Sequence, residues 1–440
     1  MKRLLLVVCI IALAVGILTA TAAAQPWTKQ TSPATQIMRG LKVVNAQVVW
    51  ATGYLGEVVR TVDGGTTWAL KTPTDATMDN YAIEALDSST AWIYGTDDAT
   101  SVGCRIWKTT NGGTSWVQQY TDNEGFGDAI KFYDANNGIA IGDPFLATPT
   151  KFQIMTTTNG GTTWTPLSNP PLAEGGETGV VNGLELIGNM AWFVTYGTGG
   201  RPAVWKSTDK GLTWTSSPRV PIDDSYGFSM RDENAGIISN INSGSVARTT
   251  DGWAHADSML LFAGVYGLRQ IDWITGTNSI VVVGGPTATG FSAVSLDGGT
   301  TWTQKTVPAG VGRLRHVQFI DAGTGWAVGN GGAILKWTDP PLVGVEDKSP
   351  LLPDGFSLSQ NYPNPFNPGT TIDYAIPGEA SVQLTVYDML GREMATLVNE
   401  RQPAGSYTVR FDAHNLASGV YYYTLKAGTF VSTKSLLLMK

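Results

Sequence analysis

Histidine and cysteine are almost missing from this chain: three His (His255, His316, His414) and two Cys (Cys9, Cys104) in 440 residues. Cys9 lies in an N-terminal segment expected to be removed, which leaves Cys104 alone and excludes an intramolecular disulfide. None of the His pairs with Cys104 at ligand spacing, so no metal site is expected. Asp97-Asp98 lacks the regular EF-hand pattern, and the Thr-Asn-Gly-Gly-Thr stretches lack the Gly-Lys of a P-loop. No cofactor is expected. Basic charge is short as well, with 29 Lys and Arg against 36 Asp and Glu, so nucleic acid is not an expected partner. Amphipathic helices are absent, and beyond Leu4 to Leu18 no apolar run is long enough to cross a membrane.

What is present begins with a leader. Lys2 and Arg3 precede that apolar run, and small residues ending Ala22-Ala23-Ala24 stand before Gln25. This is the pattern of a secretory signal peptide over residues 1–24. Its removal takes the 29 basic residues to 27 against 36 acidic ones, a net charge near −9.

The next stretch, Thr61-Val-Asp63-Gly-Gly65-Thr-Thr67-Trp68, returns at Thr109–Trp116, Thr157–Trp164, Ser207–Trp214 and Ser295–Trp302. A period of 42 to 50 residues between its central Asp or Asn marks a repeat architecture. The acid or amide closes a turn by bonding nearby backbone N–H groups, the glycines supply positive φ, and the Trp re-enters as a buried strand residue. Lys210 replaces the first Gly in one copy while Gly211 remains, which places the backbone constraint on the second Gly. A further copy, Thr249-Thr-Asp251-Gly-Trp253-Ala-His255, breaks the pattern and is expected to turn differently. Seven second-strand signals, among them Val49–Gly53, Ala91–Gly95 and Gly325–Gly329, imply seven four-stranded units. The last unit ends at Trp337-Thr-Asp339 with a truncated copy, and Gln25-Pro-Trp27-Thr-Lys-Gln30 is expected to supply its missing strand.

The motif S/T-x-D/N-x-G-x-T/S-W resembles the Asp box, or BNR repeat, of sialidases, xyloglucanases, sortilin-type receptors and photosystem II assembly-factor-like propellers. The resemblance implies an all-β chain, with a seven-bladed β-propeller over 25–339, and peripheral boxes that are structural.

A Pro-rich linker is expected over 340–355. From 356 to 440 alternating strands separated by Gly-rich turns predict a small antiparallel β-sandwich. Asn361-Tyr-Pro363-Asn364-Pro365-Phe366-Asn367-Pro368, Tyr387-Asp-Met-Leu-Gly391-Arg-Glu and Leu416-Ala-Ser-Gly-Val-Tyr-Tyr-Tyr resemble the type A C-terminal sorting domain of type IX secretion substrates. That resemblance implies export to the surface or medium, with the outer-membrane type IX translocon as partner and Pro363 to Pro368 as the sorting motif.

The loops opposite the boxes are where a ligand is expected. Candidate binding residues are Tyr81, Asp128, Asp143, Glu177, Tyr226, Tyr266 and Arg315, a set of carboxylates, phenols and a guanidinium suited to a polar ligand. No catalytic constellation stands out, and no Arg-Ile-Pro-like motif of sialidases lies between Gln25 and Thr61. Two functions stay open: a monomeric, non-catalytic binder of a glycan or surface protein, and a glycoside hydrolase acting on a neutral polysaccharide through a loop-face carboxylate pair.

Overall fold

A computed structural model describes residues 25–72, 77–97, 99–100, 103–144, 150–174, 176–197, 201–342, 355–361, 363–403 and 405–439. The expected leader over 1–24, Asp98 and most of the expected linker lie outside the described residues. The chain divides into two compact units between 344 and 345.

Among the described residues, the first unit holds seven four-stranded antiparallel sheets. The first comprises Met38–Val43, Val49–Gly53, Val58–Thr61 and Ala69–Leu70. Five more follow in the same order along the chain. The seventh takes Leu314–Asp321, Thr324–Gly329 and Ile334–Trp337 from the end of the unit, and Trp27–Lys29 from its start. Trp27 stands opposite Trp337 in antiparallel register, is fully buried, and donates its Nε1–H to Ser292 Oγ of the sixth sheet at 3.1 Å.

Side chains leave the two faces of a strand alternately, so each sheet needs an apolar partner on either side. Seven apolar clusters meet that need, each joining neighbouring sheets. Val48, Trp50 and Val58 of the first sheet pack on Ile83, Ala91 and Ile93 of the second, and the pattern continues sheet by sheet. Trp326, Val328 and Ile334 of the seventh pack on Leu41, Val43 and Val49 of the first.

The repeated turn is held by side chains rather than by a ladder. In all six copies the buried Ser or Thr hydroxyl accepts the N–H four residues on, at 2.8–3.0 Å, as from Gly65 to Thr61 and from Gly299 to Ser295. The Asp or Asn carbonyl-type oxygen accepts the N–H four residues beyond itself at 2.9–3.0 Å. Donors concentrated on one carboxylate favour its charged form, and Thr67 and Thr61 hold Asp63 down at about 2.

Three expectations about this turn need correction. The divergent copy does not turn differently: Thr249 and Asp251 make the same bonds, with His255 in the place of Thr67. Nor does the second Gly alone carry the constraint, since both positions take positive φ. Lys210 occupies the first at 59° and Trp253 the second at 74°. The second position is instead set by crowding, because a Cβ at Gly65 would strike Trp326 and one at Gly161 would strike Trp92. The motif Trp residues are also not equivalent. Trp68 and Trp164 are buried, edge-on to Trp326 and Phe132. Trp116, Trp214 and Trp302 are only half-buried, because each indole N–H turns to a backbone carbonyl at the rim: Lys71, Gly211 and Gly299, at 2.7–3.0 Å.

The second unit is a two-sheet sandwich. A three-stranded sheet orders Ser357–Leu358, Gly369–Ile376 and Gly405–Asp412. The four-stranded sheet orders Glu393–Gln402, Ala380–Tyr387, Gly419–Ala427 and Phe430–Leu438. Ile372, Ile376, Val382, Leu384, Tyr423 and Leu425 fill the space between them.

Candidate functional site

The inner strand of each sheet in the first unit, the first in chain order in six sheets and Leu314–Asp321 in the seventh, carries a β-bulge near its start. Register shifts bracket Arg39, Tyr81, Asp128, Tyr226, Arg269 and Arg315, and in the fourth sheet the longer run that includes Asn182. A bulge leaves one residue outside the ladder and re-aims its side chain. The bulges fall at the ends of the inner strands away from the box turns, where the expected loop face lies.

Their side chains converge. Arg39 donates to the Tyr226 hydroxyl at 2.8 Å and to the Tyr54 hydroxyl at 3.4 Å, although 187 residues separate Arg39 from Tyr226 in sequence. Its guanidinium lies 5.0 Å from the Tyr81 ring centre, and that of Arg269 lies 4.6 Å from the Tyr226 ring. Arg315 donates its Nε–H to Asn330 Oδ1 at 3.0 Å. Beneath Arg39, Asn182 Nδ2 donates to the Arg39 and Tyr81 carbonyls at 3.1 Å, and His316 Nδ1 lies 3.2 Å from the Arg39 carbonyl.

Three guanidiniums in one place repel each other, and this repulsion disfavours their charged forms. Burial, then the like charges of Arg39 and Arg269, bring Arg315 down to about 10. Burial acts to raise the Tyr226 phenol, but Arg39, Arg269 and Arg315 outweigh it and bring it below the ordinary value. Burial acts to lower Arg39, yet Tyr226, Tyr54, Tyr81 and the Asp79 carboxylate together raise it. The Nε of Arg269 is buried without a hydrogen-bond partner. Such a cluster has donors and positive charge to spare, the conditions for holding an anionic group.

Below this layer, residues from all seven inner strands line one cavity of about 140 Å³. Its wall carries a ring formed by Lys42, Glu84, Lys131, Glu185, Ser229, Asp272 and Gln318. Lys42 pairs with Glu84 and Lys131 with Glu185, both at 2.6 Å. Ser229, Asp272 and Gln318 each accept a backbone N–H of the next sheet, from Trp273, Phe319 and Val43, at 2.6–2.9 Å. Burial, the largest influence on Asp272, pushes it up to about 7. Burial brings His316 down to about 4.

Of the residues named from sequence, Tyr81, Tyr226 and Arg315 belong to the convergent cluster. The others do not. Asp128 is buried in a sealed apolar space beside Gly179, Leu184 and Phe193. It hydrogen-bonds Asp143, and burial together with that neighbouring carboxylate raises it well above the ordinary range. Asp143 accepts the Gly179 N–H at 2.7 Å and is pushed up to about 6 by burial. Held within hydrogen-bond reach of each other, the two carboxyls lack the separation of roughly 5–10 Å that glycoside hydrolysis uses. Glu177 is buried in a clasp with Thr195, Arg219 and the Glu174 N–H. Tyr266 stands 62% exposed, apart from the cluster.

Arg39 was not foreseen, nor was the role of Arg269. A signal exists: Arg39, Tyr81, Asp128 and Arg315 each lie fourteen residues before the second-strand glycine, Gly53, Gly95, Gly142 and Gly329. Among the described residues, no group of three or more His, Cys, Asp or Glu is arranged to hold a metal, and no helix is long and apolar enough to cross a membrane.

The Pro-rich segment of the second unit runs beside the end of the last strand. Phe366 is buried, its N–H donates to the Leu437 carbonyl, and its carbonyl accepts the Met439 N–H, both at 3.0 Å. Asn364 Oδ1 accepts the Leu437 N–H at 2.9 Å. Pro363, Pro365, Asn367 and Pro368 are exposed.

Comparison with known proteins fits this picture. Residues 360–439 match the model of the secretion system C-terminal sorting domain. A search of curated proteins finds no match. Among solved structures, YCF48 bound to D1 peptide aligns with a TM-score of 0.54 at 20% identity, over 72% of this chain and 98% of that one. YCF48 from Cyanidioschyzon merolae aligns with a TM-score of 0.54 at 16% identity, over 71% and 98%. PorZ, described as an essential bacterial surface component of the type-IX secretion system of Porphyromonas gingivalis, aligns with a TM-score of 0.50 at 15% identity, over 93% of this chain and 60% of that one. The chain is therefore an all-β protein of the β-propeller class. Its particular form is a propeller fused to a type IX sorting tail, which marks a secreted or outer-membrane-surface protein.

Proposed function

We propose that the chain is a seven-bladed Asp-box propeller that binds an anionic ligand without catalysis, and that type IX secretion delivers it to the cell surface or medium. In this reading residues 1–24 are a signal peptide, 25–339 a ring closed by the Trp27 strand, 340–355 a linker, and 356–440 the sorting domain. The ring closure is supported by the apolar cluster joining the seventh sheet to the first and by a cavity lined from all seven inner strands. The ligand is a glycan or a surface protein bearing carboxylate or another anion, and the protein acts as a monomer.

The observation that carries the binding reading is the convergence of Arg39, Arg269 and Arg315 on Tyr226 at the bulged ends of the inner strands. The peptide bound to one structural neighbour shows that a fold of this kind can hold a protein segment. The alternative, hydrolysis of a neutral glycan, would have to draw on a pair such as the buried Asp128 and Asp143, and their mutual hydrogen bond argues against it.

Glycan and acidic-peptide arrays, run beside a hydrolysis assay, test this reading. The expected result is salt-sensitive binding of an anionic ligand, weakened at least about tenfold by Arg269→Ala or Arg315→Ala. Turnover of a neutral glycan, or binding indifferent to both substitutions, would overturn it.

A further inference from the structure

The sorting domain must present something to whatever recognises it, and its Pro-rich motif keeps its one large apolar side chain, Phe366, inside. The most exposed large apolar side chains among the described residues lie elsewhere in the same domain. They are Leu390 at 79% and Met389 at 72%, side by side on the turn between Ala380–Tyr387 and Glu393–Gln402.

That turn is rigidly built. Asp388 Oδ1 accepts the N–H of both Leu390 and Arg392 at 2.9 Å. Asp388 Oδ2 pairs with Arg392 Nε at 2.7 Å, and the Asp388 carbonyl accepts the Gly391 N–H at 3.0 Å. Gly391 takes a φ of 77°, which few other residues adopt at low cost. The polar groups of the turn are thus satisfied from within, while its two largest side chains are held in water. Tyr387 continues the apolar path: it stands opposite Tyr422 in register, and Tyr422 is 41% exposed. A preorganised apolar projection loses little conformational freedom when a partner covers it, the property of a docking anchor.

We propose that Met389 and Leu390 are the apolar anchor by which the outer-membrane translocon of the export system engages this domain. This inference rests on the export reading above. The occupant is a protein recess, apolar at its centre, with charges at its rim that complement Asp388 and Arg392. The position within 360–439, the segment that matches the sorting domain, argues for the translocon over a second copy of the chain.

The experiment follows the full chain in its own host, by fractionation into periplasm, surface and medium. Met389→Ser/Leu390→Ser is expected to lower the ratio of exported to periplasmic protein at least tenfold. Val431→Ser, which removes a 60%-exposed side chain of the same domain, is expected to leave it unchanged. Deletion of 356–440 tests the reading beneath: normal export of that form would overturn the sorting role itself. If the deletion is trapped while the double variant is exported normally, the anchor is overturned and the sorting role stands. Purified double variant must keep the parent's melting profile and size-exclusion volume. A lost fold, or a parent dimer that the substitutions split into monomers, would also overturn the proposal, and the conservative Leu390→Met alone is expected to be exported as the parent is.

Discussion

The two ends of the repeated unit obey opposite rules. At the box end, six turns share one set of side-chain bonds, and even the copy that carries Trp253 and His255 reproduces it. At the bulged end of the inner strands, equivalent positions hold Arg39, Tyr81, Asp128, Tyr226, Arg269 and Arg315, with scarcely a pair alike in surroundings. The box turns spend their polar groups on themselves. The bulged ends leave charge and donors unspent, as at Arg269 Nε. A scaffold can vary freely only where its own closure does not depend on the residue, and binding sites arise there.

Substitution at the two ends should therefore separate stability from binding. The largest loss is expected from Trp68→Ala or Trp164→Ala, at about 3–5 kcal/mol each by urea denaturation, with Trp302→Ala costing roughly half as much because its indole is already half in water. Equal losses at all three would erase the distinction drawn between deep and rim indoles.

Next in size is a pH effect inside the cavity. Burial pushes Asp272 up to about 7 in the folded state against an ordinary 3.8, so between those values the native protein is expected to hold a proton that the unfolded chain gives up. Its contribution is full below pH 4 and is lost as pH rises to 7, by roughly 4 kcal/mol at most. Asp272→Asn should flatten that fall, which denaturation at pH 5 and pH 8 would show; a parallel decline in parent and variant would contradict the assignment.

Smaller losses are expected at the boxes. Thr61→Val and Thr249→Val each leave a buried N–H unpaired, at a cost of about 1–3 kcal/mol. Similar values at the regular and divergent copies would sharpen the claim that both make one turn, whereas a negligible effect at Thr249 would break it. Least affected in stability should be Arg269→Ala and Arg315→Ala, within about 0.5–1 kcal/mol and toward greater stability at low salt, since each removes like-charge repulsion. A large destabilisation there would move these residues from the binding end of the comparison to the structural one.

Much of the scaffold was readable because its signals are local. Val49–Gly53 appears as written, and the strand at Trp27 pairs where the truncated last unit leaves an edge. The site was readable only in part. Tyr81, Tyr226 and Arg315 were named as loop-face residues, but Arg39 was passed over because nothing near it in sequence indicates that Tyr226, 187 residues away, completes its hydrogen bonds. Asp128 shows the converse. It belongs to the same row, yet its carboxyl is sealed beside Gly179 of the neighbouring sheet.

By itself the sequence determined what depends on bonds within a few residues: the bonds that close the box turns, the alternation of the strands, the recurrence of a four-stranded unit, and the sorting tail over 360–439 that the family model matches. Only the tertiary structure decided what depends on distance. It selected which indoles reach the core and which stop at the rim, joined two acids into one buried pair, and gathered three guanidiniums around a phenol. Register and bulge position set those outcomes, since a single unpaired residue re-aims a side chain without leaving a mark on the local pattern.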